Sequence, residues 1–241
     1  MRWLLLLFLC LVGASTARAD PLTVTGNIDI TSDYAFRGVS ISKKTLVASP
    51  DFEPAVQASV EVDHKSGAYV GLWSSSVGDQ GPGGSVAELD IFTGYKATEG
   101  PISYDLGLTY YTFPGAAHNT KTGFLEAQGS LTYTIAFTSV KAGLAWRPKS
   151  GNAARDGLYF QADLGQVIPK TPLTLRAHIG HTLSSLGSAQ DYYDYSAGVD
   201  ISHRRWTLSL AYIGTDLSRA KAGTQYNAVR PKPQATLYWS F

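Results

Sequence analysis

The residues that invite a chemical reading are few and scattered. His178 and His181 are the nearest pair of imidazoles, and paired histidines are the usual start of a zinc site. Residues three apart on a strand point to opposite faces, so these two cannot grip one ion together. His64, His118 and His203 fall in separate turns or loops with no carboxylate arrangement beside them, so neither a metal nor another cofactor is expected. The glycines of 78–84 lack the lysine and following helix of a phosphate loop and read as a flexible outer loop. His181 with Ser184 and Ser185 comes nearest to a hydrolase pair. It shares parity with apolar neighbours, however, and no third group orients it, so no enzyme is expected.

What does recur is the carboxylate. Asp29, Glu53, Glu61, Glu88, Asp90, Asp105, Glu126, Asp163, Asp194 and Asp200 all occupy the polar side of alternating stretches, joined there by the bases Arg37, Lys141, Arg147 and Arg176. Charges ranged along one face of a sheet can brace one another or line a watery interior, where they concentrate ions of opposite sign.

The elements that must position these groups are strands. Period-two alternation runs through the chain. Leu22, Val24, Ile28 and Ile30 oppose Thr23, Thr25, Asn27 and Asp29, and Val56, Ala58, Val60 and Val62 oppose Glu53, Gln57, Ser59 and Glu61. Val70 and Leu72 oppose Tyr69 and Trp73 less distinctly. Ala87, Leu89, Ile91 and Tyr95 oppose Glu88 and Asp90, and Ile102 to Tyr110 opposes Ser103, Asp105, Gly107 and Thr109. The second half repeats the design around Glu126, Lys141, Asp163, Arg176, Asp194 and Ser209, ending with Ala235, Leu237, Trp239 and Phe241 against Gln234, Thr236, Tyr238 and Ser240.

Connections alternate in length. Short ones are expected at 64–67, 96–100, 135–137, 169–172 and 203–205, and longer polar ones at 42–52, 77–85, 114–123, 149–157, 184–191 and 216–232. Five turns and six loops join about twelve strands, with no helix expected among them. The turn at 135–137 has no Gly, Asn or Pro and is the weakest joint in that count. Short turns on one side and long loops on the other, with apolar and aromatic residues on one strand face, predict an all-β fold: a transmembrane antiparallel barrel with periplasmic turns and extracellular loops. Closure is required, because lipid offers no partner to backbone groups at an open sheet edge. A soluble sandwich or lipocalin-like barrel also alternates, but its outer face should carry more charge than the polar face here does.

The ends agree with export to the bacterial outer membrane. Arg2, an apolar run from Trp3 to Val12 and small residues at Ala17 and Ala19 predict a cleaved signal peptide over 1–19, leaving one barrel domain over 20–241. Cys10, the single cysteine, leaves with it. Losing Arg2 and Arg18 leaves 18 bases against 19 acids, a formal charge of −1, which argues against a nucleic-acid partner. Lipid, the barrel-assembly machinery and small polar solutes or ions are the expected partners. Tyr238, Trp239 and Phe241 form an amphipathic ending that the assembly machinery would read.

The chain also resembles the TorF-type porins of Gram-negative bacteria. The match rests on Ser32, Asp33, Tyr34, Ala35, Phe36, Arg37 and Gly38 with Ser40, on Pro54 to Gln57, on Gly67 to Gly71 with Trp73, and on Glu88, Leu89 and Asp90 with Gly94 and Tyr95. Ala35 stands where a larger apolar residue is more usual, and the second half matches in strand rhythm and ending only. The resemblance implies an outer-membrane barrel with no established solute.

By parity, Arg37, Glu53, Glu61, Glu88, Asp90, Asp105, Glu126, Lys141, Asp163, Arg176, Asp194 and Asp200 are expected to line the pore, with Arg37 pairing to Asp33 or Glu53. Ten inward acids against four bases predict passive diffusion of small solutes with a modest preference for cations. The alternatives are a structural or adhesion barrel whose lumen is filled by side chains and an inward-folded loop, and, with less support, an outer-membrane hydrolase.

Overall fold

In the computed structural model, residues 22–42, 53–78, 81–149, 156–183, 190–223 and 226–241 are described. The expected leader, the middle of the first long loop, and Ser184 and Ser185 lie outside them.

Twelve strands close into an antiparallel barrel. They are β1 (Leu22–Thr31), then, after a small hairpin of β2 (Ala35–Phe36) and β3 (Val39–Ser40), β4 (Ala55–His64), β5 (Ala68–Ser76), β6 (Ala87–Glu99), β7 (Ile102–Thr112) and β8 (Phe124–Ile135). The series continues with β9 (Thr138–Arg147), β10 (Gly157–Val167), β11 (Leu173–Leu183), β12 (Tyr192–His203), β13 (Trp206–Thr215) and β14 (Lys232–Ser240). Each barrel strand pairs with the next, and β14 returns to β1 in the register Ile28↔Trp239 and Ile30↔Leu237. Every strand edge is therefore paired, as a lipid solvent demands.

Side-chain direction follows the alternation. Val24, Leu106, Ile179 and Leu175 stand 58, 62, 53 and 48% exposed on the outer surface, while their neighbours point into the lumen. Strands of 9 to 13 residues, tilted in the wall, are long enough to cross a hydrocarbon layer. Exposed Tyr95, Tyr110, Trp146, Tyr193, Trp206 and Tyr212 occupy strand ends, the place of interfacial aromatics. At the seam, Phe241 exchanges backbone bonds with Gly26 (3.0 and 3.2 Å) and continues the β1–β14 pairing beyond β14.

The turn end has tight hairpins. Ala136, at φ 50°, and Arg204, at φ 56°, supply the left-handed residue that a two-residue connection needs, so the turn lacking Gly, Asn and Pro forms nonetheless. Two boundaries and one loop differ from the sequence reading. β6 runs to Glu99, which places Lys96 in the wall instead of a turn. β14 starts at Lys232, which is buried and faces inward. The last long loop contains two single-turn helices, α1 (Arg219–Ala222) and α2 (Tyr226–Val229).

The buried apolar groups gather at the loop end of the barrel. Tyr34, Ala55 and Val77 form one cluster, Tyr111, Phe113 and Phe124 a second, and Tyr192, Leu217 and Val229 a third. Phe36 packs on the first two and Val39 on the third, so the β2–β3 hairpin ties the three together.

Candidate functional site

After β1 reaches the loop end the chain turns into the lumen instead of running outward. Asp33, 1% exposed, organises that turn. Its carboxylate accepts from the hydroxyls of Ser40 and Ser42 and pairs with Lys232 of β14. Its carbonyl accepts from Gln234 Nε2 (2.7 Å) and Thr31 Oγ1 (3.0 Å). Ile41 N–H donates to the Tyr34 carbonyl (2.7 Å) and Tyr34 N–H to Ser42 Oγ (2.8 Å), closing the hairpin's base. Burial first, and the nearby carboxylates of Glu88 and Asp90 second, push the Tyr34 phenol well above its ordinary range; it stays neutral, hydrogen-bonded to Glu88.

The hairpin's tip is Arg37–Gly38, both with positive φ (49° and 75°), the geometry of a tight primed turn. A Cβ at Gly38 would come within 2.8 Å of the Asp194 Cβ, the Gly214 carbonyl oxygen and the Thr215 methyl, so the tip is pressed against the wall. Arg37 Nη2 lies 2.8 Å from both carboxylate oxygens of Glu126. Its guanidinium also lies over the rings of Tyr159 (4.1 Å) and Phe36 (4.7 Å). Charge, cation–π contact and apolar packing all hold the same group in place.

Beside the tip is a cluster that spans three strands. His178 of β11 places Nδ1 2.6 Å from Asp163 of β10 and Nε2 2.9 Å from Asp194 of β12. The Tyr159 hydroxyl lies 3.0 Å from His178 Nε2 and donates to Asp194 (3.1 Å). An imidazolium, donating from both ring nitrogens, satisfies this arrangement. The strand register dictates it, because Asp163 faces His178 directly and Asp194 lies two residues along, on the same face, from Ser196, which also faces His178.

Below the tip the lumen opens. A cavity of about 470 Å³ lies under the hairpin, walled by Gln128, Gln161, Ser196 and Gln234 together with Arg37, Glu126, His178 and Asp194. A second, of about 640 Å³, lies at the turn end around Asp63, Lys96, Thr98 and Thr132. Asp105, Ser130 and Lys141 line both cavities and thus form the waist between them. Small wall residues make this room. Tyr69 lies flat across Gly94 and Gly107, where a Cβ would meet its hydroxyl at 2.5 and 2.7 Å, and so reaches Asp105 with a 2.7 Å hydrogen bond. At the turn end Lys96 bridges Glu61 and Asp63, each at 2.6 Å. Arg176 pairs with Asp200.

The residues expected inside from parity on the wall, Glu61, Glu88, Asp90, Asp105, Glu126, Lys141, Asp163, Arg176, Asp194 and Asp200, sit at inward positions. Glu88, Asp90 and Glu126 are buried beneath the hairpin. Two others are placed differently. Arg37 is on the hairpin tip, not the wall, and it pairs with Glu126 in place of Asp33 or Glu53 because the primed turn throws it across the lumen. Glu53 precedes β4 and forms an isolated backbone bridge with Asp33. Parity placed Tyr69 and His178 on the inward face but not their partners, which come from other strands, and it missed Tyr159 together with Lys96 and Lys232, the two lysines being hidden by the turn and loop boundaries. His181 faces outward and stacks on Tyr193 at 4.1 Å. Tyr238 points inward, and Trp239 and Phe241 stand on the outer face with ring centroids 5.4 Å apart.

A closed twelve-stranded barrel with an apolar exterior, a charged interior and a hairpin folded into it has the architecture of outer-membrane channels. Comparison with known structures agrees at the level of fold. The chain is similar to the KdgM porin solved in complex with disordered oligogalacturonate (TM-score 0.57, 8% identity, covering 90% of this chain and 98% of that one). It is similar to the NanC porin (0.55, 8%, 91% and 99%) and to the COG4313 outer membrane channel from Pseudomonas putida F1 (0.51, 8%, 94% and 99%). No curated protein sequence matches it. A family model described as "bacterial protein of unknown function (Gcw_chp)" matches residues 15–241, and the chain belongs to that family.

Proposed function

We propose that this protein is a non-enzymatic channel of the bacterial outer membrane that lets small polar solutes and ions diffuse through a narrow lumen, with a modest preference for cations. The observation that carries the reading is the pair of polar cavities meeting at Asp105, Ser130 and Lys141 inside a closed, lipid-compatible barrel. The signal peptide over 1–19, recognition of Tyr238, Trp239 and Phe241 by the assembly machinery, and kinship with TorF-type porins belong to the same reading.

The cation preference rests on which charges stay unmatched. Among the described residues, Asp29, Asp105, Glu88 and Asp90 form no ion pair on the acidic side, the last two buried beneath the hairpin where they add little to the field in the lumen, against Lys141 and the buried Arg147 on the basic side. Of the other inward acids, Glu126 and Asp200 each have a base of their own, whereas Glu61 shares Lys96 with Asp63, and Asp163 shares His178 with Asp194. The acidic surplus also disfavours a polyanion of the kind held by the KdgM porin structure.

A second reading, a plugged structural or adhesion barrel, is favoured by the three buried clusters that the hairpin ties together at the loop end. One measurement separates the two. Single-channel recording of the folded protein in a planar bilayer under a KCl gradient is expected to show small steps with a cation-selective reversal potential. That selectivity should weaken at high salt, since fields are screened over about 10 Å at 0.1 M. An anion-selective reversal would refute the charge argument, and silence would favour the plug.

A further inference from the structure

The waist has a property that neither cavity has alone. Around it, the other charged groups lining the upper cavity are matched: Arg37 with Glu126, and His178 with Asp194. In the lower cavity Lys96 is matched by Asp63, while Lys65 lies in the exposed turn after β4. Lys141 and Asp105, by contrast, form no ion pair with any described residue and do not approach each other within ion-pair distance, although both line the two cavities. They come from β9 and β7, on either side of β8, which presents Ser130 opposite Asp105 and Thr132 opposite Lys141. The Asp105 carboxylate accepts one bond, from Tyr69, and keeps acceptor capacity toward the lumen. Anything that moves between the cavities therefore meets one unmatched cation, one unmatched anion and a hydroxyl.

We infer that the waist is a recognition site for small zwitterions of the amino-acid type, the solute carboxylate facing Lys141 and its ammonium facing Asp105. The inference rests on the channel reading and names the solute class that the part of the lumen shared by both cavities prefers. A free cation is repelled by Lys141 and a free anion by Asp105, whereas a molecule carrying both charges satisfies both groups at once. The upper cavity, at about 470 Å³, has room for a solute of that size with water around it. Neutral polyols find hydroxyl and amide partners there but leave both charges unanswered.

The test uses the full folded protein in liposomes and planar bilayers, with L-alanine as the zwitterionic probe and erythritol as a neutral one. Alanine is expected to enter liposomes faster than erythritol and to reduce the KCl current at lower concentration. Lys141→Met and Asp105→Asn should each weaken that block by about tenfold, the size expected for losing a hydrogen bond to a charged group. Lys141→Arg, which keeps the charge, should restore most of it. Equal entry of alanine and erythritol through a conducting channel, or block unchanged in both variants, would overturn the inference and leave the channel reading intact. Absence of both current and solute entry would overturn the channel reading, and the zwitterion site with it.

Discussion

The two ends of the lumen are enclosed by the same strands yet have opposite interiors. At the loop end, Tyr34, Tyr111, Phe124, Glu88 and Glu126 are buried and the hairpin fills the space. At the turn end, Lys96 is 44% exposed in its ion pairs and the cavity reaches about 640 Å³. The wall itself does not create the difference, because outward residues alternate equally well at both ends. Inward residue size does. Large aromatic side chains fill the lumen at one end, while around the waist Gly94 and Gly107 let Tyr69, and Gly143 lets Gln161, lie close against the wall. A charge of a given sign therefore has different consequences along the same strand: dry and structural near Arg37, wet and exchangeable near Lys96.

The strongest challenge to that contrast is to remove a charge from the dry end. Lys232→Met takes away the ion-pair partner of Asp33, which stays 1% exposed. It should cost about 3–5 kcal/mol, as breaking a buried pair does. Urea unfolding in detergent would show the loss, and bilayer recordings should show a larger, noisier conductance as the hairpin leaves its seat. Unchanged stability and conductance would mean that the loop end is not dry. A smaller effect is expected from Gly38→Val. A β-branched residue at φ 75° with three wall atoms 2.8 Å from its Cβ should cost about 1–3 kcal/mol in local strain. It should raise conductance while leaving the heat-modifiable folded band intact, which separates the hairpin's seating from the barrel's stability. The smallest effect belongs to the wet end. Lys96→Met removes a half-exposed pair worth about 0.2–1 kcal/mol, so the unfolding midpoint should barely move. The reversal potential should nevertheless shift toward stronger cation selectivity, because Glu61 and Asp63 lose their shared counter-charge. A large fall in stability would place Lys96 in the dry class and dissolve the contrast.

The barrel was legible in the sequence because lipid imposes a rule on every second residue, and a period of two survives small errors in strand ends. Those errors still mattered at particular residues. Lys96 and Lys232 were assigned to a turn and a loop because charge and nearby Gly or Pro are ordinary loop signals, and two lumenal bases were lost with them. The hairpin carried one local sign, Arg37–Gly38 between Phe36 and Val39, a residue-glycine pair between apolar neighbours. That sign marks a tight turn but not the direction in which it folds. His178 could be assigned to the inward face, yet its ties to Asp163 and Asp194 depend on the register of three strands, which no single stretch of sequence contains. The match of Arg37 to Glu126 is further removed still, since it joins a loop to a wall strand across the lumen.

The Asp33–Lys232 pair also carries information about time. Asp33 follows the first strand and Lys232 opens the last, so this contact spans the seam where the two ends of the sheet meet. Until β14 has zipped onto β1, Asp33 has no ammonium from β14 beside it and the hairpin lacks both that anchor and the Gln234 bond at its base. Completion of the hairpin's base is therefore linked to sealing of the wall, while its tip is held separately by Arg37 on Glu126. A barrel with its seam open would expose unpaired edges and leave the buried Asp33 carboxylate without its ammonium, and one closing step removes both.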